Sequence, residues 1–314
     1  MDRCVQKEIR LAGSFGGSVP PIVVANALHA IVPAARSSTF MAIEGRGRLS
    51  GRPPKWATDV ADIRFRGASP TLDEMVLKFL VPRIGQTVPH LYKQRDFWRA
   101  PPPEEATSID LLIDVIRDIS IENRDSDAFD QSVLRDIERF GKIFAEGEIS
   151  VAFTGHQPNE LVIEITKTTI DHVRSLSRST PVSHQVRVVG TLDMIRASTQ
   201  GFALKLDDGS EIAGIYEKGE IADLQPLFRQ RVSVNGTLVY RPSGRPLRID
   251  AMHVKLAGSE SSLWSRLPPP PHESLDIYQL RQPQSKKTGF GAIIGRWPSD
   301  ESDEEVAERL TTLS

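Results

Sequence analysis

The sequence predicts an α+β protein. An antiparallel sheet with helices covers residues 1–180, a small five-stranded β-barrel covers 184–257, and a short helix is tethered behind them. Three observations carry this. Residues 184–256 hold five apolar alternations of period two, cut by turn residues, which is the pattern of half-buried strands. Two stretches of helical periodicity, 107–121 and 127–144, stand among short strand-like runs. After Ala257 the composition shifts to Gly, Ser and Pro, which cannot bury a core.

In chain order, residues up to Gly17 carry no clear pattern. Gly13 to Ser18 reads as a glycine-rich linker, because it lacks the Lys-Ser/Thr ending of a phosphate loop. Residues 21–35 read as a short apolar helix with Pro21 in its first turn. Residues 38–44 alternate Phe40, Ala42 and Glu44 against Thr39, Met41 and Ile43, and read as a strand. The loop that follows carries Arg46, Arg48, Arg52 and Lys55 among glycines, a candidate anion-binding loop. The bland alternative is a solvated connection. Residues 62–67 and 73–79 read as two further strands, and 83–98 as irregular.

The helix over 107–121 has an apolar stripe of Ile109, Leu112, Ile113, Ile116 and Ile119, with Ser108 as its expected N-cap. The helix over 127–144 repeats Phe129, Val133, Leu134, Ile137 and Phe140. A strand pair is expected at 147–154 and 160–166, then a helix at 169–177.

In the barrel region the strands are expected at 186–194, 202–206, 211–216, 232–240 and 247–256. A bulge is expected after Ala251, and a short helix at 220–228. Gly190 and Gly236 suit the tight bends of a small barrel. Three strands, a helix and two strands in this order resemble an OB-fold, the five-stranded Greek-key barrel that often binds oligonucleotides. That resemblance covers about a quarter of the chain and implies a nucleic-acid partner. Arg241, Arg245 and Arg248 cluster at one end as candidate phosphate contacts. The region's surplus of two positive charges is mild, and the candidate stacking residues Tyr216 and Tyr240 fall on the inward parity. A purely structural or protein-binding barrel is the competing expectation.

The chain ends in a linker, 258–289, and an acidic helix, 290–314. Gly295, Trp297, Pro298, Asp300, Glu301, Asp303, Glu304 and Glu305 resemble the C-terminal segments of small bacterial antitoxin-type proteins, although the DNA-binding domain usual in these is missing from the pattern. The resemblance implies a docking peptide with Trp297, Ile293, Val306 and Leu310 against a partner protein or against the chain itself.

Over the 314 residues the net charge of -2 creates no global attraction to nucleic acid or to an anionic membrane. The single cysteine, Cys4, excludes an internal disulfide and a cysteine-rich zinc site, and fits a reducing cytoplasm. No span-length apolar run or leader pattern is seen. The histidines are scattered without metal-ligand spacing, and no nucleophile elbow is present, so no metal and no cofactor are expected. The expectation is therefore a non-enzymatic binding protein whose barrel contacts nucleic acid or a protein partner. Two alternatives remain: an antitoxin-like or regulatory protein acting through its tail, and an enzyme with a site near Glu44 and Arg46.

Overall fold

The computed structural model describes residues 3–49, 51, 53–92, 101–154, 162–258 and 264–270. The tail and its candidate docking residues Ile293, Trp297, Val306 and Leu310, together with Arg52, lie outside the described residues. Residues 1–271 form one compact unit. It contains an α+β layer and a closed barrel.

The layer's sheet runs in the order β2-β3-β1-β4-β5 and is antiparallel throughout. Its strands are β1 (Cys4–Gly13), β2 (Arg64–Pro70), β3 (Glu74–Pro82), β4 (Ile149–Phe153) and β5 (Ile163–Ile165). The stretch expected to be unpatterned is thus the central strand. Its buried parity is Lys7, Ile9 and Leu11, and the lysine breaks the apolar alternation. Lys7 is buried because its ammonium ion-pairs with Asp110. Asp110 also accepts a hydrogen bond from the Thr107 amide at 2.9 Å.

Helix α1 (Pro21–Glu44) is 24 residues long. It absorbs both the short helix and the strand expected over residues 38–44. Residues 37–41 are buried consecutively, so this part of the helix has no polar side from which its period could be read. Two of its hydroxyls are satisfied locally: Thr39 Oγ1 donates to Ala35 O at 2.7 Å and Ser37 Oγ to Ala34 O at 3.2 Å, while Ser38 Oγ is buried without a partner among the described residues. The helix stops where Gly45 takes φ 75° and returns its N–H to Met41 O.

Two short helices follow, α2 (Lys55–Val60) and α3 (Ile84–Thr87), the latter within the stretch expected to be irregular. α4 (Ser108–Ser120) is capped by Thr107, not Ser108, in a reciprocal box with Asp110. α5 (Gln131–Glu138) starts four residues later than expected, because Asp130 caps it, and continues as a 3-10 turn over Arg139–Glu146. α6 is Lys167–Ser179. α1 packs against α4 and α5, over the core face of the sheet.

The barrel strands are β6 (His184–Arg196), β7 (Gly201–Lys205), β8 (Glu211–Tyr216), β9 (Arg231–Tyr240) and β10 (Pro246–Leu256). They close in the order β10-β8-β7-β6-β9, with β8 and β10 parallel and every other pair antiparallel, compatible with an OB-like barrel. Ile221–Leu227 is a 3-10 turn, not the α-helix expected, and Pro226 interrupts it. The bulge after Ala251 is present. The two strand glycines mark close backbone approaches. A Cβ on Gly236 would stand 2.4 Å from Asp250 O, and one on Gly190 2.7 Å from Lys205 O. Gly236→Ala is expected to cost about 1–3 kcal/mol, since backbone has to move, not a side-chain end. A change in the urea midpoint equivalent to under about 0.5 kcal/mol would show that β9 and β10 can separate freely.

The layer and the barrel each have a core, and the apolar contact between them runs through Val239 and Leu247, which pack with the layer.

Candidate nucleic-acid interface

The sequence-predicted arginines lie at the seam between layer and barrel, and carboxylates engage most of them. Arg248 on β10 is 8% exposed. It donates from Nε to Asp250 Oδ1 at 2.8 Å and from Nη1 to Gly45 O at 3.1 Å, and its Nη2 lies 3.1 Å from Asp130 Oδ2. One guanidinium therefore joins β10, the C-terminal end of α1 and the N-cap of α5. Asp130 also accepts from the Gly47 amide at 3.0 Å and the Ser132 amide at 2.9 Å. Burial works against its charge, but Arg248, Ser132 and the Gly47 and Val133 amides outweigh that and hold it below the usual carboxylate range. Asp250 is pushed up by burial in spite of Arg248. Arg241 pairs with Asp127, at 2.8 Å from its Nε, and Arg245 with Asp125 at 3.4 Å. Arg46 donates to Glu217 at 3.1 Å. The structure thus brings Arg46, Arg48 and Arg248 to one seam and places Arg241 and Arg245 on the acidic loop before α5.

A different set of cations is left facing outward. Paired residues across β6, β9 and β10 share a face, so Arg187, Asn235 and His253 form one outer row. In the next row Lys255 is exposed, while its neighbours Ser233 and Val189 are buried, and Gln185 and Thr237 form another row. Gln185 donates to Thr237 at 2.9 Å and Arg187 to Ser233 at 3.0 Å. The Arg187 guanidinium carbon lies 5.8 Å from the centre of the Trp264 ring, and Trp264 is 41% exposed. In these rows the described carboxylate is Asp250, beside Thr237, and Arg248 holds it.

At Thr237 this face runs into a polar cleft of about 620 Å³, lined among others by Arg46, Arg48, Gln131, Ser132, Arg135 and Ser183. Arg48 and Arg135 are exposed and ion-pair with no other described residue. Arg46 Nε is buried without an acceptor among the described residues. Gly47 lets the loop approach this closely, since a Cβ there would stand 2.5 Å from Ser132 Oγ and from Val133. The basic loop read from the sequence therefore lies against α5, as one wall of a cleft. No family model, curated protein or solved structure matches this chain.

Sequence reasoning missed Arg135, Arg187, Asn235, His253, Lys255 and Trp264 as candidates. The outer parity of β6 and β9 was readable, but the pairing of β6 with β9 joins strands about 40 residues apart and leaves no local trace. A second cleft, of about 450 Å³, opens between the end of α1 and the outer face of β7 and β8, with Glu44 in its lining. Among the described residues no group of three or more His, Cys, Asp or Glu side chains is placed to hold a metal ion, and no helix is long and apolar enough to cross a membrane.

Proposed function

We propose that the protein is a binding protein whose barrel takes single-stranded nucleic acid along the outer face of β6, β9 and β10 and into the polar cleft. The observation that carries this is the row of Arg187, Asn235 and His253, continued by Lys255 and Trp264, with no uncompensated carboxylate among its described residues. Arg187 and Lys255 supply charge for phosphates, and Trp264 supplies a π-face for a base. Ser233 to Thr237 covers about 14 Å of strand, room for two or three nucleotides, before the track reaches Arg48 and Arg135. Asn235, Gln185 and Thr237 add hydrogen bonds to sugar and base edges without a single-base code. Arg241, Arg245 and Arg248 contribute little in this reading, because their charge is spent on Asp127, Asp125, Asp130 and Asp250.

Four uncompensated cations predict a salt slope of about -2.8 for a single strand, so a fourfold rise in salt should weaken binding about 50-fold. Fluorescence anisotropy with a labelled oligothymidine and an oligouridine measures this. The double substitution Arg48→Glu/Arg135→Glu should remove most of the affinity and flatten the slope. Absence of saturable binding at low salt, or binding indifferent to salt, refutes the proposal.

A further inference from the structure

The cleft beside α1 has a different chemistry from the basic track. Its floor is the outer face of β7 and β8, where Gly201 pairs with Ile215 and Ala203 with Ala213, so the side chains there are mostly small. Met41 and Ile43 of α1, Met194 of β6 and Leu247 of β10 add apolar wall. A slot of this kind suits a flat ring. One carboxyl in its lining, Glu44, makes no hydrogen bond to a described residue, and Arg46 and Arg196 are the charges that act on it most strongly. The other charged groups of the cleft are Glu211, the Arg241–Asp127 pair and Arg248, which Asp130 and Asp250 hold.

We infer that this cleft binds a guanine-type base, with the Glu44 carboxylate accepting from the ring N–H and amino group and Arg196 donating to the carbonyl edge. Guanine has two donors side by side for a carboxylate and, on its other edge, the acceptors that arginine commonly reads. Adenine lacks the ring N–H, cytosine has one amino group beside an acceptor, and uracil flanks its N–H with two carbonyls that repel a carboxylate. Arg196 has five donors, so engagement within the protein leaves others for a ligand. A cationic ligand fits less well, because the positive charges of Arg46 and Arg196 already act on Glu44.

Burial raises the Glu44 carboxyl to about 7 against the pull of Arg46 and Arg196. The base needs the ionised form. Binding should therefore be constant above about pH 7 and weaken by up to about tenfold per pH unit below it.

The site is independent of the outer track, and the base has two sources, a free nucleoside or a nucleotide within a strand. Calorimetric titration of the full chain with guanosine, inosine, adenosine and cytidine at pH 8 and pH 6 tests the first. Oligothymidine carrying one guanine, compared with plain oligothymidine, tests the second. The expected result is guanosine binding that is at least about tenfold tighter than inosine, which lacks the amino group, with no binding of adenosine or cytidine. A preference seen only within the oligonucleotide assigns the site to a strand, and one seen with the nucleoside assigns it to a free ligand. Glu44→Gln should abolish the preference and its pH dependence, while plain oligothymidine binding keeps its salt slope. If guanosine and the guanine-bearing strand show no preference, or if Glu44→Gln retains it, the inference is wrong whether or not the outer track binds nucleic acid.

Discussion

Replacing Arg248 with alanine is expected to lower the unfolding free energy by about 3–5 kcal/mol, the usual cost of removing one partner from a buried ionic network. The guanidinium is the common partner of Asp130, Asp250 and Gly45 O. Without it Asp250, already pushed up by burial, and Asp130 lose the cation they share. Both carboxyls should then take up protons at higher pH, so the loss should be greatest at neutral pH and shrink in acid. The consequence reaches beyond β10. Asp130 caps α5 and orders Gly47, so the loop with Arg46 and Arg48 should loosen as well, and oligothymidine affinity should fall with stability. Urea denaturation measures the first effect. The triple substitution Arg248→Met/Asp130→Asn/Asp250→Asn separates the causes, because it removes the stranded charges and should recover much of the loss. A single-variant loss below about 1 kcal/mol would mean that water already reaches this seam.

Glu44→Gln is expected to act in the opposite sense and to stabilise the protein. The carboxyl titrates near 4.5 in the unfolded chain and at about 7 in the fold. A carboxyl raised by folding contributes stability at low pH that is lost as pH climbs through the folded value. Between about pH 4.5 and pH 7 the wild-type protein should therefore lose up to about 3 kcal/mol relative to the glutamine variant, since moving a titration midpoint by one pH unit corresponds to about 1.4 kcal/mol. The two proteins should be equally stable at pH 4 and differ most above pH 7. Thermal melts across that range read this directly, and parallel curves at every pH would show that water already solvates Glu44. A carboxyl raised by burial in a cleft marks a candidate site, which is the link to the base-binding inference.

Arg248 ties the layer to the barrel and lines both clefts. Glu44, one residue before Gly45 whose carbonyl Arg248 holds, is positioned by that tie and takes no hydrogen bond from a described residue.

The legible parts of the sequence were those whose period survives burial. α4 shows one apolar stripe against one solvated side, so 107–121 could be read at once. In the barrel one face of each strand is core, and the alternation, the bulge after Ala251 and the two glycines at close crossings follow from that. The illegible parts are buried differently. Residues 37–41 of α1 are enclosed all round, which erases the helical period and leaves a chance alternation. In β1 a buried lysine replaces an apolar residue, and its partner Asp110 is about a hundred residues away.

For the candidate site the division is similar. The sequence alone determined the α+β class, the strands of a small barrel, and which segments are rich in arginine, because these depend on local period and composition. Only the tertiary structure decided which arginines remain available. Asp125, Asp127 and Asp130 come from a loop more than a hundred residues before the arginines of the β9–β10 turn and β10 that they neutralise, and the fold brings the two together. Charge in a folded protein is read after pairing. The arginines that look most prominent in the chain are spent on the seam, while Arg187 and Lys255 keep their charge on the open face.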